Sequence, residues 1–238
     1  MTRRSRALLI STTGLAVGAA VGTWLVRRWR YQVRHVVRDV PRLPTSPTSP
    51  AVEMPGRAAI QDEEDGVGPR FHRRYEVDIT APTKSPEALM HCIGENIQAY
   101  VPGEIAVFSK AVGDETALAV GDEYDIDIRS PWNGPVRVVE VAPTRFTLAT
   151  LEGHMEAGQI RFEAAEHPAE PGAIRFSIES WARSRDGVID FIYDELGLAK
   201  AAQQAMWTFF CERVAEDCGG QKMGEVRVLT EREEEADG

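Results

Sequence analysis

A succession of short segments in which apolar and polar residues alternate constrains the fold of this chain more than any other feature. The first covers residues 73–79, where Tyr75, Val77 and Ile79 are the apolar members. This period of two is typical of a β-strand with one buried face. Turn residues separate it from six further candidate strands. These candidates are residues 105–110, 118–128, 136–141, 145–151, 159–163 and 174–181.

Two helices interrupt the strands. Ser85, Pro86 and Glu87 open the first helix with a capping hydroxyl, a first-turn proline and an acid at the positive end of the helix dipole. The second helix, residues 198–217, is rich in helix formers and stops at Gly219-Gly220. Runs of strands separated from helices indicate an α+β fold with an antiparallel sheet. We expect a curved antiparallel sheet that grips the long C-terminal helix and leaves a cavity beside it.

Charge is distributed unevenly along the chain. The 238 residues carry a net charge of −10, whereas residues 1–40 contain eight arginines and a single acid, Asp39. The remainder is therefore strongly acidic and repels phosphate backbones, which argues against nucleic-acid binding. The three cysteines show no C-x-x-C spacing, and no phosphate-binding or zinc-peptidase motif occurs, so the sequence predicts neither a metal nor a cofactor.

The basic N-terminus surrounds a segment without any charge, from Ala7 to Val26. Twenty residues of helix are long enough to cross a bilayer core of about 30 Å. Three interpretations compete: a cleaved signal peptide, a twin-arginine signal around Arg3-Arg4, and an uncleaved anchor. The long apolar run and its flank Arg27-Arg28 favour the anchor. We therefore expect an N-terminal transmembrane helix with basic flanks over residues 1–38.

The flanks and the glycines of this segment suggest its orientation and its packing. More arginines follow the segment than precede it, which places the domain on the cytoplasmic side of the cell membrane as a single-pass protein. Gly14, Gly18 and Gly22 recur every four residues and would fall on one helix face, as in helices that form a homodimer. The alternative is that glycine is simply frequent in membrane helices.

Composition defines the remaining boundaries. Residues 39–67 are rich in proline, serine and threonine and then acidic, which predicts a solvated linker. The folded domain is expected over residues 68–220. Residues 221–238 contain an acidic run and are predicted to be a solvated C-terminal tail.

Several blocks of the domain resemble an uncharacterised family. They begin at Phe71, Val120, Pro131, Phe146 and Glu179 and read FHRRY, VGDE, PWNGPVRVV, FTLATLEGH and ESWARS. In this order they resemble the family called domain of unknown function 1990, found in actinobacteria and plants. The resemblance covers residues 70–220 and implies no activity. The order of elements is also similar to the START and Bet v 1 helix-grip superfamily, a resemblance that implies an apolar ligand between sheet and helix.

His154 is the first candidate for a functional role. It lies between Glu152 and Glu156, so that a carboxylate could orient it as a general base. The alternative is a hairpin turn, because Gly153 and Gly158 bracket the segment and acids are common in exposed turns.

Two aromatic sites have similar alternatives. Trp132 and Asn133 either cap the mouth of a cavity or form a tight hairpin. Trp181 and Arg183 share one face of their strand with other charged residues, which favours solvent unless a bulge near Ser180 turns them inward.

The long helix provides the apolar candidates. Ala202, Met206 and Phe210 lie on one face, with alanines that leave space and a methionine that adapts to a guest. These residues, with Trp132, Asn133, His154, Trp181 and Arg183, predict a membrane-anchored domain that binds an apolar small molecule or lipid. One alternative is an enzyme that acts on such a ligand through His154, Glu152 or Arg183. The other alternative is a non-catalytic interaction scaffold.

Overall fold

The computed structural model describes residues 33–47, 57–114, 116–128, 133–185 and 198–233. Two helices lie in these ranges, α1 (Pro86–Glu95) and α2 (Leu198–Asp217), and a 3₁₀ turn at Ile97–Tyr100 follows α1. The strands are β1 (Val33–Val40), β2 (Val67–Thr80), β3 (Val107–Val112), β4 (Glu123–Asp127), β5 (Asn133–Ala142), β6 (Arg145–Thr150), β7 (Glu156–Glu166), β8 (Ile174–Ser184), β9 (Gln221–Lys222) and β10 (Val226–Glu233).

All ten strands belong to one sheet. Its order is β1-β10-β2-β8-β7-β6-β5-β4-β3, and the short β9 pairs with β2. Every pairing is antiparallel except that between β1 and β10. The predicted α+β class with a mostly antiparallel sheet is confirmed.

Helix α1 begins as the sequence predicts. The Ser85 hydroxyl accepts a hydrogen bond from the Ala88 amide at 3.2 Å, and Pro86 occupies the first turn. Leu89 and Ile93 are fully buried. Helix α1 ends before Asn96, whose side chain caps the 3₁₀ turn that follows.

Helix α2 packs on one face of the sheet, which we call the inner face. Phe210 is fully buried there, with ring centroids 5.3 Å from Phe162 of β7 and 5.8 Å from Phe176 of β8. Tyr100 of the 3₁₀ turn stacks on Phe210 from another side, at 5.4 Å. Burial of large aromatic side chains is a major source of stability in such a core. The C-terminal helix therefore packs against the sheet, as expected.

The chain after α2 differs from the solvated tail predicted for residues 221–238. Val226 and Val228 of β10 are buried on the inner face, and β10 lies between β1 and β2. The alternation of apolar and polar residues in 226–230 is a strand pattern. The acids that follow it obscured that pattern in the sequence.

The segment before β2 also differs from prediction, because residues 57–66 of the predicted linker (residues 39–67) pack on the sheet. Residues 33–40 already form β1. Residues 57–66, which we call the strap, contact the sheet: the Gln61 side chain donates to the main-chain oxygens of His154 and Glu156, at 3.3 and 3.0 Å. Ile60 forms an isolated bridge with Leu151. These contacts involve single residues without periodicity, so the sequence did not indicate them.

The face opposite α2, which we call the outer face, contains a buried ion cluster under the strap. Glu123 is 0% exposed and accepts hydrogen bonds from Arg137 Nε at 3.0 Å and from Arg57 Nε at 2.8 Å. Arg137 Nη2 also donates to the Ala58 carbonyl at 2.8 Å. Burial raises the pKa of Glu123, but the two arginines outweigh it and hold the pKa below its usual range.

A second outer-face cluster centres on His72. Its Nδ1 lies 2.7 Å from Glu231 Oε2 of β10, and its Nε2 lies 2.7 Å from Glu179 Oε1 of β8. Burial lowers the pKa of His72, but the hydrogen bonds to both carboxylates outweigh it and raise the pKa above the ordinary value. A protonated His72 therefore bridges three strands.

Membrane-related predictions fall on residues 7–26, which lie outside the described ranges. Within those ranges no helix is long and apolar enough to cross a bilayer.

Candidate functional site

Burial on the inner face differs between two neighbouring rows, where a row is a set of residues paired across β2, β8 and β7. In one row, Tyr75, Ile178 and Phe162 lie side by side on three strands, and all three are buried. In the next row, Ser180 and Ile160 are only half-buried, although each belongs to a strand with neighbours on both sides. The third member of that row is Arg73. Helix α2 thus fills the first row and leaves the second row partly open.

The open row carries a polar cluster that bridges sheet and helix. Arg73 is 7% exposed, and its Nη1 donates to Glu156 Oε1 at 3.3 Å. The other oxygen of Glu156 accepts a hydrogen bond from Gln203 Nε2 of α2 at 2.9 Å. Arg73 also lies over the Phe71 ring, 4.8 Å from its centroid. A buried charge of this kind is costly unless a partner faces it, and Glu156 provides that partner.

Tyr75 forms the apolar boundary of this cluster. Burial raises the pKa of its hydroxyl above the ordinary range, so the group stays neutral. It lies on the inner face with Arg73, because the two are separated by two residues of the same strand.

His154 lies near the same end of the sheet, in the turn between β6 and β7. Its Nδ1 is 2.9 Å from both the nitrogen and the oxygen of the Glu156 main chain, and Glu152 is exposed. Burial lowers the pKa of His154, so the ring is neutral at pH 7. A side chain at Gly134 would place its Cβ 2.9 Å from His154 Cδ2, so glycine is required there. The ring is held by the main chain, and no carboxylate of the described residues forms with it the hydrogen bond that the catalytic hypothesis required.

Trp181 and Arg183 were predicted at the polar edge of the cavity, and the structure corrects this. The pairing of β8 with β7 runs without a shift from 174 to 184, so no bulge near Ser180 turns them inward. Trp181 lies on the outer face, with its ring centroid 5.3 Å from that of His72. Arg183 Nη2 donates to the Gly68 carbonyl at 2.6 Å. Both residues therefore lie away from the helix.

The described helix candidates belong to the core. Phe210 and Met206 are buried in the main core. The side chain of Ala202 and all of Trp132 lie outside the described part of the chain, and of Asn133 only the backbone is described, at the start of β5. The predicted catalytic residues Glu152, His154 and Arg183 do not converge on one point.

Sequence analysis missed the residues that form the cluster: Arg73, Glu156 and Gln203. A signal for Arg73 was present, because it falls on the same strand face as Tyr75, Val77 and Ile79 and is the charged member of an otherwise apolar set. Glu156 and Gln203 carry no comparable signal, since their meeting depends on the packing of α2. Among the described residues, no group of three metal-binding side chains occurs.

Comparison with known proteins identifies the family of this chain. The family model described as "Domain of unknown function (DUF1990)" matches residues 69–209. No curated protein sequence matches the chain.

Several solved structures are similar to this chain at low sequence identity. Norcoclaurine synthase from Thalictrum flavum, in complex with dopamine and hydroxybenzaldehyde, is 13% identical, with 69% of this chain and 96% of that chain covered and a TM-score of 0.45. The KanY protein is 13% identical, with 62% and 96% covered and a TM-score of 0.44. A protein of Thermobifida fusca is 10% identical, with 62% and 93% covered and a TM-score of 0.42.

Proposed function

The chain belongs to the DUF1990 family, and we propose that its domain binds a small, largely apolar molecule between α2 and the inner face of the sheet. The observation that carries this proposal is the half-buried pair Ser180 and Ile160 in the middle of the sheet. A helix that packed evenly along the sheet would bury both. Ligand sites are typically concave and mostly apolar with few polar groups, which matches an open row bordered by aromatic residues and one polar cluster.

The surroundings of the open row favour an apolar guest. Phe162 and Tyr75 close one end, and Met206 of α2 is buried nearby in the same core. Methionine side chains adapt to guests of different shape. The polar groups are confined to the Arg73 cluster, so they would fix the orientation of the guest.

A filling substitution tests the proposal. We expect N-phenyl-1-naphthylamine, a neutral apolar fluorophore, to bind the full-length chain saturably, with buffer and any detergent alone as the blank. Ser180→Phe should weaken this binding by about tenfold or more, because the ring occupies the open row. The matched control is Ser177→Phe on the outer face of the same strand, which should leave binding unchanged.

Two results would contradict this function. Absence of saturable binding would show that the row does not admit a guest. Equal loss in Ser180→Phe and Ser177→Phe would show that binding occurs elsewhere or depends only on stability. Mass spectrometry of organic extracts from the purified chain identifies any ligand that copurifies.

We further propose that residues 7–26 anchor the domain in the cell membrane, with the domain on the cytoplasmic side. The support is the uncharged length of this segment and the larger number of arginines after it. Alkaline carbonate should leave the full-length chain in the membrane pellet, since a spanning helix does not dissociate like a surface patch. Release by carbonate would contradict the anchor.

The glycines of the same segment provide the basis for a dimer proposal. Gly14, Gly18 and Gly22 would let two such helices approach closely. Gly18→Leu should then abolish crosslinking between copies in membranes, whereas Ala16→Leu, on another face, should not. Equal crosslinking in both variants would contradict a glycine-mediated dimer.

A further inference from the structure

We propose that the molecule bound at this site carries a carboxylate at its polar end, and that Arg73 binds that carboxylate. The inference rests on the proposed binding function and specifies its ligand class. It is argued from the N–H donors of Arg73 and the hydroxyl of Tyr75 that form no hydrogen bond with other described residues.

Arg73 has far more donor capacity than its surroundings use. A guanidinium presents five N–H donors in a planar fork. Among the described residues, Arg73 makes one side-chain hydrogen bond, to Glu156, and at 3.3 Å it is long for a charge-assisted bond. A side chain that is 7% exposed has little access to bulk water as a substitute. Arg73 is paired with Ser180 across β2 and β8, so its guanidinium belongs to the open row.

The acceptors of the cluster are already occupied. Glu156 accepts from Arg73 through Oε1 and from Gln203 through Oε2. A cationic guest would find both of these oxygens engaged and would meet the positive charge of Arg73. The cluster therefore suits a guest that brings acceptors.

Tyr75 adds a further donor beside Arg73. Its hydroxyl forms no hydrogen bond with other described residues, and it keeps its proton because burial disfavours the phenolate. Together, a guanidinium fork and a neutral hydroxyl match the two oxygens of a carboxylate, which arginine binds in bidentate geometry.

The helix dipole of α2 also favours an anionic group at this site. Gln203 lies in the second turn of a helix that begins at Leu198, so the N-terminal end of α2 lies on the side of the cluster. The positive end of the helix dipole favours an anion over a neutral or cationic group. This is a supporting effect, and the donors of Arg73 determine the position.

The test compares two guests that differ only in their polar end, decanoate and 1-decanol. Isothermal titration calorimetry is performed on the full-length chain at pH 7.5 below the critical micelle concentration, with buffer and any detergent as the blank. An unspecific apolar cavity binds the alcohol more tightly, because the alcohol is the more hydrophobic guest. We expect the reverse, with decanoate bound about ten- to hundredfold more tightly.

Three variants assign the preference to a residue. Arg73→Met should remove the preference for decanoate, and Arg73→Lys, which keeps the charge but not the planar fork, should reduce it. Arg145→Met replaces a partly exposed arginine on the outer face and should leave the preference unchanged. If Arg73→Met does not fold, the wild-type ratio and Arg73→Lys still decide the outcome.

The outcomes distinguish this inference from the function on which it rests. Wild-type protein that binds decanol at least as tightly as decanoate would overturn the carboxylate assignment and leave the binding function intact. A preference that persists in Arg73→Met and Arg73→Lys would overturn the role of Arg73. Loss of binding for decanoate, decanol and N-phenyl-1-naphthylamine together would overturn the binding function itself.

Discussion

Arg137 on the outer face and Arg73 on the inner face are both buried, and they differ in how completely they are paired. Arg137 is 3% exposed and donates to Glu123 from two nitrogens and to the Ala58 carbonyl. Arg73 has one long hydrogen bond to Glu156. The strap closes over the first arginine, whereas α2 leaves the second beside an open row. The complete pairing of Arg137 indicates a structural role, whereas the unpaired donors of Arg73 indicate a binding site.

The largest effect is expected from removing the paired arginine. Arg137→Met leaves Glu123 buried with Arg57 as its remaining cation, and we expect the free energy of unfolding to fall by about 3 kcal/mol. Arg73→Met should cost less than about 1 kcal/mol, since it loses one long hydrogen bond. Urea unfolding followed by tryptophan fluorescence measures both values. Similar losses for the two variants would remove the distinction between them.

The His72 cluster extends the comparison to a cation whose charge depends on pH. The pKa of His72 is raised in the folded state. Its contribution to the free energy of unfolding is therefore fully present below the ordinary pKa of about 6.5 and is lost as the pH rises through the folded-state pKa. We expect His72→Gln to lower the free energy of unfolding by about 2 kcal/mol at pH 6.

Comparison of the two proteins across pH tests this assignment. The difference in the free energy of unfolding between wild type and His72→Gln should become smaller from pH 6 to pH 9, as measured by urea unfolding at each pH. Glu179 and Glu231 have lowered pKa values, so their contributions are present at neutral pH and are lost on acidification. A difference independent of pH between 6 and 9 would contradict a protonated His72.

The strap should contribute less than either charged cluster. Gln61→Ala removes two hydrogen bonds to main-chain oxygens of the β7 end, and we expect a loss of about 1 kcal/mol. Glu64→Ala, at an exposed position of the same strap, serves as the control and should be near neutral. Faster proteolysis of Gln61→Ala within residues 57–66 provides an independent measurement. Unchanged stability and proteolysis would show that the strap is only loosely held.

The smallest effect is expected on ligand binding, at the acid beside Arg73. Glu156→Gln keeps the shape of the side chain but removes its charge, so Arg73 loses its competing anion. We expect decanoate to bind about threefold more tightly. Weaker binding of decanoate would indicate that Glu156 positions Arg73 for the guest.

The sequence predicted much of the fold because the relevant signals are local. Alternation located the strands from β2 to β8, and the cap at Ser85 and the stop at Gly219-Gly220 placed the ends of two helices. It did not predict β1 or β10, because β1 lies in the basic segment that follows residues 7–26 and β10 runs into the acidic residues at 233–237. Their pairing joins segments at opposite ends of the chain, and no local pattern reports such a contact.

The candidate site was harder to predict for a related reason. Trp181 and Arg183 drew attention as large or charged residues in a motif block, yet strand parity places them on the outer face. Arg73 could have been recognised as a charge on an apolar strand face. Its partner Gln203 lies on a helix whose rotation about its own axis is fixed only by packing. Chemistry that depends on the meeting of two elements is therefore invisible to periodicity alone.

The place of β10 between β1 and β2 has a consequence for synthesis of the chain. Arg38 of β1 and Glu231 of β10 form a hydrogen bond although they are 193 residues apart. During synthesis β1 therefore leaves the ribosome long before β10, its partner in the sheet. Until then β1 lacks its neighbour and β2 presents an open edge, a condition that favours pairing with other chains. We therefore expect a product that stops before residue 226 to aggregate.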